Sequence, residues 1–377
     1  MAGTSTYGFR ELINDLHLWL GLAAGIVLVV VCLTGTILAF EAEIREATRE
    51  GMTVRANGEP RPVSELIATV EAAGTDSVTG VTLPATADAP YRFTVIRTVA
   101  GSGAVVLADP YTGAHRLEGR SAADGFLTGT LRLHRWLLLR TPVGRPIVGI
   151  ATVAFLVLIV SGLIIWFPKK LRWRYVKQGF KIRTSAGWKR INHDLHNALG
   201  FYAAVLLLVM AITGLCWSFD GYRAGLGGLL GATIFERGGP DFGLGAGAQE
   251  KGLSVDAILS TARSTFPEPG ELAVNLPSER NPYYAIRFTP ATAWSPAATD
   301  RLYLSRSGNQ LALARFADKH LGERTAELIK ALHTGEVFGT VSKTLYFLAC
   351  LIATSLPVTG TLIWWNKRRK KRRRYSN

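Results

Sequence analysis

The sequence has only three cysteines, Cys32, Cys216 and Cys350, and no two of them stand as Cys-x-x-Cys. A disulfide-stapled module and a thiolate zinc ribbon are thereby excluded, and the three residues read as small buried apolar side chains. A Gly-x-Gly-x-x-Gly motif is also missing. The Gly-rich stretch Gly225-Leu-Gly-Gly-Leu-Leu-Gly231 has the wrong spacing and follows no strand, so the chain is not expected to bind a nicotinamide dinucleotide itself. Acidic residues are absent from two stretches, Lys169 to Arg190 and Lys367 to Arg374, which hold seventeen of the 43 basic residues. Outside them acidic residues outnumber basic ones by two, so the net charge of +15 is local and gives no reason to expect nucleic acid as a partner.

Charge is missing altogether from four runs, Leu18 to Phe40, Pro146 to Phe167, Ala198 to Phe219 and Thr344 to Trp365. Each reaches the roughly 20 apolar residues that a helix needs to cross a bilayer core. The two basic stretches follow the second and fourth runs directly, where positive residues retained on the cytoplasmic face are expected. Both termini are therefore expected in the cytoplasm. The first run is too long for a signal-peptide core, and Phe40-Glu41-Ala42 is no small-residue cleavage site, so it is read as retained. The expected layout is a cytoplasmic N-terminus (1–15), a first span (16–40), an outer segment (41–124), an interfacial helix and break (125–145) and a second span (146–167). A basic cytoplasmic loop (168–195), a third span (196–219), a second outer segment (220–316), a helix leading inward (317–341), a fourth span (342–365) and a basic tail (366–377) complete it.

The halves of the chain echo one another. Ile13-Asn-Asp-Leu-His17 with Gly21 and Thr34-Gly35 answers Ile191-Asn-His-Asp-Leu-His196 with Gly200 and Thr213-Gly214. Leu133-His134 with Ser161-Gly162 answers Leu332-His333 with Thr359-Gly360, one residue out of step. Between the spans, Ser64 to Ala72 reads as helix, followed by strand-like runs at Val78 to Leu83, Tyr91 to Arg97 and Ala104 to Leu107 and the turn Asp109 to Gly113. The second half offers a helix at Ser254 to Thr265, runs at Glu271 to Leu276, Tyr283 to Phe288 and Arg301 to Leu304, and the turn Ser307-Gly308-Asn309. The expected fold is a membrane protein with a four-helix transmembrane core and two small α+β units outside it. It is built by internal duplication about a pseudo-twofold axis along the membrane normal.

Chemistry concentrates on the histidines. Four of the seven recur: His17 and His196 at the cytoplasmic starts of the first and third spans, His134 and His333 on helices leading into the second and fourth from the other side. One imidazole from each half, offered to a shared axis, is the arrangement that holds a planar haem edge-on with both axial positions filled. The same pair could bind a bare metal, although zinc asks for four ligands and no Asp, Glu or Cys recurs beside both histidines. With no Cys-x-x-Cys-His, a haem here would be b-type. His193, three residues before His196, is the alternative ligand on that helix. Asp15 and Asp194 recur two residues before the cytoplasmic histidines and are assigned to capping or an interfacial role, and His115 and His320 to the surface. A straight helix from His134 to Phe167 would be about 50 Å long, so a break is expected at Pro142, Gly144 and Pro146, leaving His134 on a surface helix above the membrane. Arg132, Arg135 and Arg145 are then possible partners for haem propionates.

The run Arg132-Leu-His134-Arg-Trp-Leu-Leu-Leu, Gly144-Arg145-Pro-Ile-Val-Gly149, the Asp-Leu-His-Leu-Trp-Leu-Gly-Leu opening of the first span and Asp109-Pro-Tyr-Thr-Gly113 resemble the PepSY-associated transmembrane proteins. Within that group the length and four-span plan resemble the FoxB-type siderophore reductases of bacterial inner membranes. The resemblance implies PepSY-like periplasmic units, two b-type haems on His17, His196, His134 and His333, and one-electron reduction of a ferric siderophore in the periplasm. Electrons are expected from quinol or another donor, in a chain embedded in the lipid bilayer. Leu332-His333-Thr-Gly departs from the pattern, lacking the Arg-Trp that follows His134. Two other classes compete: a non-catalytic PepSY membrane regulator, and a permease for the intact siderophore.

Overall fold

A computed structural model describes residues 8–74, 76–97, 103–235, 238–244 and 252–375. In chain order it has helices α1 (Phe9–Leu38), α2 (Glu41–Ala47) and α3 (Val63–Ala72), then strands β1 (Asp76–Leu83), β2 (Tyr91–Arg97), β3 (Gly103–Ala108) and β4 (His115–Leu117). Helices α4 (Asp124–Trp136), α5 (Thr141–Trp166), α6 (Trp173–Gly179), α7 (Trp188–Ser218), α8 (Asp220–Leu230) and α9 (Val255–Thr265) follow. Strands β5 (Gly270–Asn275), β6 (Tyr284–Pro290), β7 (Asp300–Leu304) and β8 (Gln310–Ala314) then precede α10 (Leu321–Thr334) and α11 (Gly339–Tyr375). These elements form two units. One takes the chain up to Ala42, Asp124–Leu229 and everything from Ile329; the other takes Glu43–Ala123 and Leu230–Leu328.

The helical unit contains four helices long and apolar enough to cross a membrane, over Phe9–Leu38, Thr141–Trp166, Trp188–Ser218 and Glu336–Arg369. They run on past the uncharged stretches because a helix satisfies its own backbone groups wherever its polar ends emerge. Helix α1 rests on α5 and α11, and α7 rests on the same two, leaving α1 and α7 on one diagonal of the bundle. Small residues make this possible. Ala203, Ala204, Ala211, Ala349 and Ala353 are buried between the helices, and a Cβ added at Gly25 would lie 3.4 Å from Pro357 Cβ. Ile26, Ile150 and Val205 point outward and stay exposed, as lipid-facing side chains would.

The break before the second span lies elsewhere than the prolines suggest. Helix α4 ends at Trp136, and the chain turns through Leu137 and Leu138, both left-handed with φ of 54° and 58°. Pro142 stands in the first turn of α5, where a missing N–H costs nothing, and Pro146 is carried inside the same helix. Gly144 serves the return: a Cβ there would overlap the Trp136 carbonyl. Nor is α4 a free surface helix. It packs along α1 and α5, so that His134 reaches the Val31–Gly35 turn of α1.

The second unit is a single eight-stranded antiparallel sheet in the order β4-β3-β2-β1-β5-β6-β7-β8, which joins the strands expected of two small α+β units. The join is the β1–β5 pairing, which sets Val81 opposite Val274. It removes what would be two exposed edges and leaves β4 and β8, of three and five residues, as the only ones among the described residues. Helices α3 and α9 cover one face together, over a core that includes Leu66, Phe93, Ile258, Phe266, Leu272 and Phe288. Asp256, in the first turn of α9, accepts from the backbone N–H groups of Val63 and Ser64 and so caps α3.

Candidate functional site

The helical unit brings the four recurring histidines together two by two. His17 of α1 and His196 of α7 have ring centroids 6.4 Å apart with planes at 89°. His134 of α4 and His333 of α10 stand 6.3 Å apart at 61°. Both pairs are tied to α1: it carries His17, and seventeen residues later Thr34, which holds His134. At 1.5 Å per residue the two pairs lie about 25 Å apart along the bundle, near the thickness of a bilayer core of about 30 Å.

Each ring is fixed by the same device. His134 Nδ1 is 2.9 Å from the Val31 carbonyl and 3.0 Å from Thr34 Oγ1. His333 Nδ1 is 3.0 Å from the Met210 carbonyl and 3.2 Å from Thr213 Oγ1. His17 Nδ1 meets Ser161 Oγ at 2.9 Å together with the Leu158 carbonyl, and His196 Nδ1 meets Thr359 Oγ1 at 2.9 Å together with the Leu356 carbonyl. The hydroxyl protons are already committed: Thr34 to Val30 O, Ser161 to Val157 O, Thr213 to Val209 O and Thr359 to Ser355 O. Hydroxyl and carbonyl can therefore only accept, so Nδ1 carries the proton and Nε2 the free lone pair.

The residue after each hydroxyl is glycine, and each of these glycines lies under a ring. A Cβ at Gly35 or Gly360 would sit 3.3 Å from Cε1 of His134 or His196, one at Gly162 3.2 Å from that of His17, and one at Gly214 3.0 Å from that of His333. Thr34-Gly35, Ser161-Gly162, Thr213-Gly214 and Thr359-Gly360 thus form four cradles. The sequence displays them as markers of the repeat; their distance from the histidines they hold, in the chain, conceals the role.

This donor set suits an axially ligated haem. Two nitrogens each about 2 Å from one metal place imidazole centroids about 6 Å apart, as both pairs are. Among the described residues no group of three or more His, Cys, Asp and Glu side chains could hold a metal ion, so neither pair completes the four-ligand shell that zinc favours. Between His17 and His196 opens a cavity of about 280 Å³, walled by Gly21, Gly200, Leu158, Leu356, Leu28 and Leu207. An apolar, concave space with a few convergent polar groups is the ordinary form of a cofactor site.

Among the other expected residues, His193 is exposed, 3.6 Å from Asp194, and lines the outer part of the cavity without facing another imidazole. Asp194 itself is buried and ties the basic loop, accepting from Arg190 Nε at 2.8 Å and the Arg183 N–H at 3.3 Å. Arg145 is engaged by the Trp217 carbonyl and by Asp220, each at 2.8 Å. Arg135 lies over the Trp136 ring at 4.8 Å, and Arg132 is exposed on α4. His115 and His320 belong to the sheet unit. No sequence pattern points to Arg10, which closes the far end of α5 by donating to the carbonyls of Ile165 at 2.9 Å and Phe167 at 2.8 Å.

The model of the PepSY-associated TM region family matches residues 15–367. No curated protein matches the chain.

Proposed function

Because the chain belongs to the PepSY-associated TM region family, we propose that it is a two-haem reductase of the FoxB type. It passes electrons across the bacterial inner membrane to a ferric siderophore in the periplasm. The observation that carries this reading is the pair of facing imidazole pairs, each ring locked with its Nε2 lone pair free. Haem bound at such pairs supplies one-electron chemistry. The protein's own part is to hold neutral imidazoles at a set spacing, to bury them among Leu28, Ile159, Ala204 and Leu207, and to stack two centres about 25 Å apart along α1 and α7.

The halves are read as an internal duplication and the sheet unit as two fused PepSY-like repeats, which the matching order of helix and strands on either side of β1 and β5 supports. With the basic loop and tail inside, both termini are cytoplasmic and the centre at His134 and His333 is the outer one. A ferric siderophore is too large and polar to enter the bundle, so it takes its electron there and releases iron as Fe(II), which hard oxygen ligands hold less tightly. Quinol or a protein donor feeds the inner centre.

The test is the full-length protein purified in detergent. It is expected to be red and to carry two b-type haems. Alanine at His17 or His196 should remove one, and at His134 or His333 the other. The His134→Ala, His333→Ala double variant should keep a dithionite-reducible haem yet fail to reduce a ferric siderophore. A colourless protein would favour the non-catalytic regulator, and uptake of intact labelled chelate by proteoliposomes would favour the permease.

A further inference from the structure

The cavity wall between His17 and His196 is built largely of matched residues, one from α1 or α5 and one from α7 or α11. Gly21 matches Gly200, Gly162 matches Gly360, and Leu28 matches Leu207, each leucine about three turns beyond its own histidine. In polarity the matching fails in three places, always with the same sense. Asn197 of α7 stands where α1 has Leu18, and Thr361 of α11 where α5 has Leu163. Lys367 of α11 reaches the wall, whereas Lys169, its counterpart beyond α5, does not. Each of the three adds a polar group on the α7–α11 side, level with the histidines or outside them. The far end, at Leu28, Leu207 and Ala353, remains apolar.

A ring held only by the matched residues could enter in either of two orientations related by the pseudo-twofold axis. The unmatched residues remove that degeneracy. Carboxylates are strongly disfavoured against the leucine floor and favoured beside an ammonium and an amide that can both donate to them, while the Thr361 hydroxyl, already donating to the Pro357 carbonyl at 2.7 Å, adds only polarity. We infer that Lys367 and Asn197 form a carboxylate-binding subsite, beside Thr361, that takes the propionates of the haem held by His17 and His196. Lys367 supplies the counter-charge, so the first basic residue of the tail has a task beyond fixing topology. This rests on the haem reading of the histidine pairs.

The experiment follows one haem in the full-length His134→Ala, His333→Ala protein, measuring by absorbance how fast it passes to an excess of a haem-scavenging apoprotein. Lys367→Met is expected to speed the loss about fivefold to tenfold at low salt and less at high salt, while Lys367→Arg behaves as the parent. Lys169→Met, the same change at the matched position, should have no effect. Lys367 is exposed, so its replacement leaves the bundle intact. Loss from Lys367→Met no faster than from the parent, or loss accelerated equally by Lys169→Met, would overturn the subsite and leave the histidine pairs standing. A parent protein without haem would overturn both.

Discussion

Replacing Gly214 by alanine tests the cradles most sharply, because its approach is the tightest of the four. The new methyl would lie 3.0 Å from His333 Cε1 and 3.5 Å from Nδ1. Ordinary carbon contacts settle at about 3.5–4.0 Å, so the ring must retreat by about 0.5–1 Å. The bond from Nδ1 to Thr213 Oγ1, already 3.2 Å, would then pass beyond hydrogen-bond range. Overpacking of this kind costs about 1–3 kcal/mol and the lost bond about 0.5–1.5 kcal/mol, offset by about 1 kcal/mol of helix propensity. The net, about 1–3 kcal/mol, corresponds to haem binding weakened roughly fivefold to 150-fold at the outer centre. Haem per chain, counted as the pyridine haemochrome, should fall toward one, and the melting temperature in detergent should drop. Gly35→Ala and Gly360→Ala, whose new methyls would lie 3.3 Å from the ring carbon, should do less. Gly228→Ala in α8, with nothing within 4 Å, should retain both haems. Full retention by Gly214→Ala, or greater loss from Gly35→Ala, would refute the idea that these glycines exist to admit the rings.

Thr34→Val removes one of two acceptors from His134 while the Val31 carbonyl stays, so the tautomer should persist but outer-haem affinity should fall about tenfold or less, with Thr34→Ser restoring it; no change in affinity or reduction potential would deny the hydroxyl a role. Leu138→Gly relieves a left-handed residue and should raise stability by up to about 1 kcal/mol in thermal melts, a drop instead showing that the leucine side chain matters more than its backbone. A C-terminal fluorescent-protein fusion should glow and an alkaline-phosphatase fusion there should be inactive; the reverse would invert the assignment of inner and outer centres.

The spans are legible because a run of 22 or more consecutive uncharged residues, as from Leu18 to Phe40, suits little besides the core of a bilayer. The histidine pairing is legible because His17 and His196, and His134 and His333, recur while their neighbours drift. The break before α5 is not, because Pro142 and Pro146 signal interruption but are tolerated in a first turn, whereas the real turn uses two leucines in a conformation leucine rarely adopts. The second half turns instead at Gly335, φ 82°, where a Cβ would press on Tyr346, so a glycine stands where the first half has Trp136. The fusion of the sheets is invisible in sequence because β1 and β5 pair across nearly two hundred residues, and each strand alone reads as an ordinary edge.

The arrangement of locks has a mechanical consequence. Helix α1 carries one paired histidine, His17, at one end and the lock for another, Thr34-Gly35, at the other; α7 does the same with His196 and Thr213-Gly214. Helices α5 and α11 carry locks for the His17–His196 pair alone, Ser161 and Thr359. Seventeen residues of helix turn the lock about 100° from the ligand on the same rod, so His17 can face α7 while Thr34 faces α4. A rotation of α1 that improved the fit at one centre would therefore spoil it at the other. The two centres share two rigid helices, and each orients its imidazoles only while both helices keep one register. That shared register explains why the spacing from histidine to Thr-Gly is the same in both halves while the outer segments between the spans differ in length and sequence.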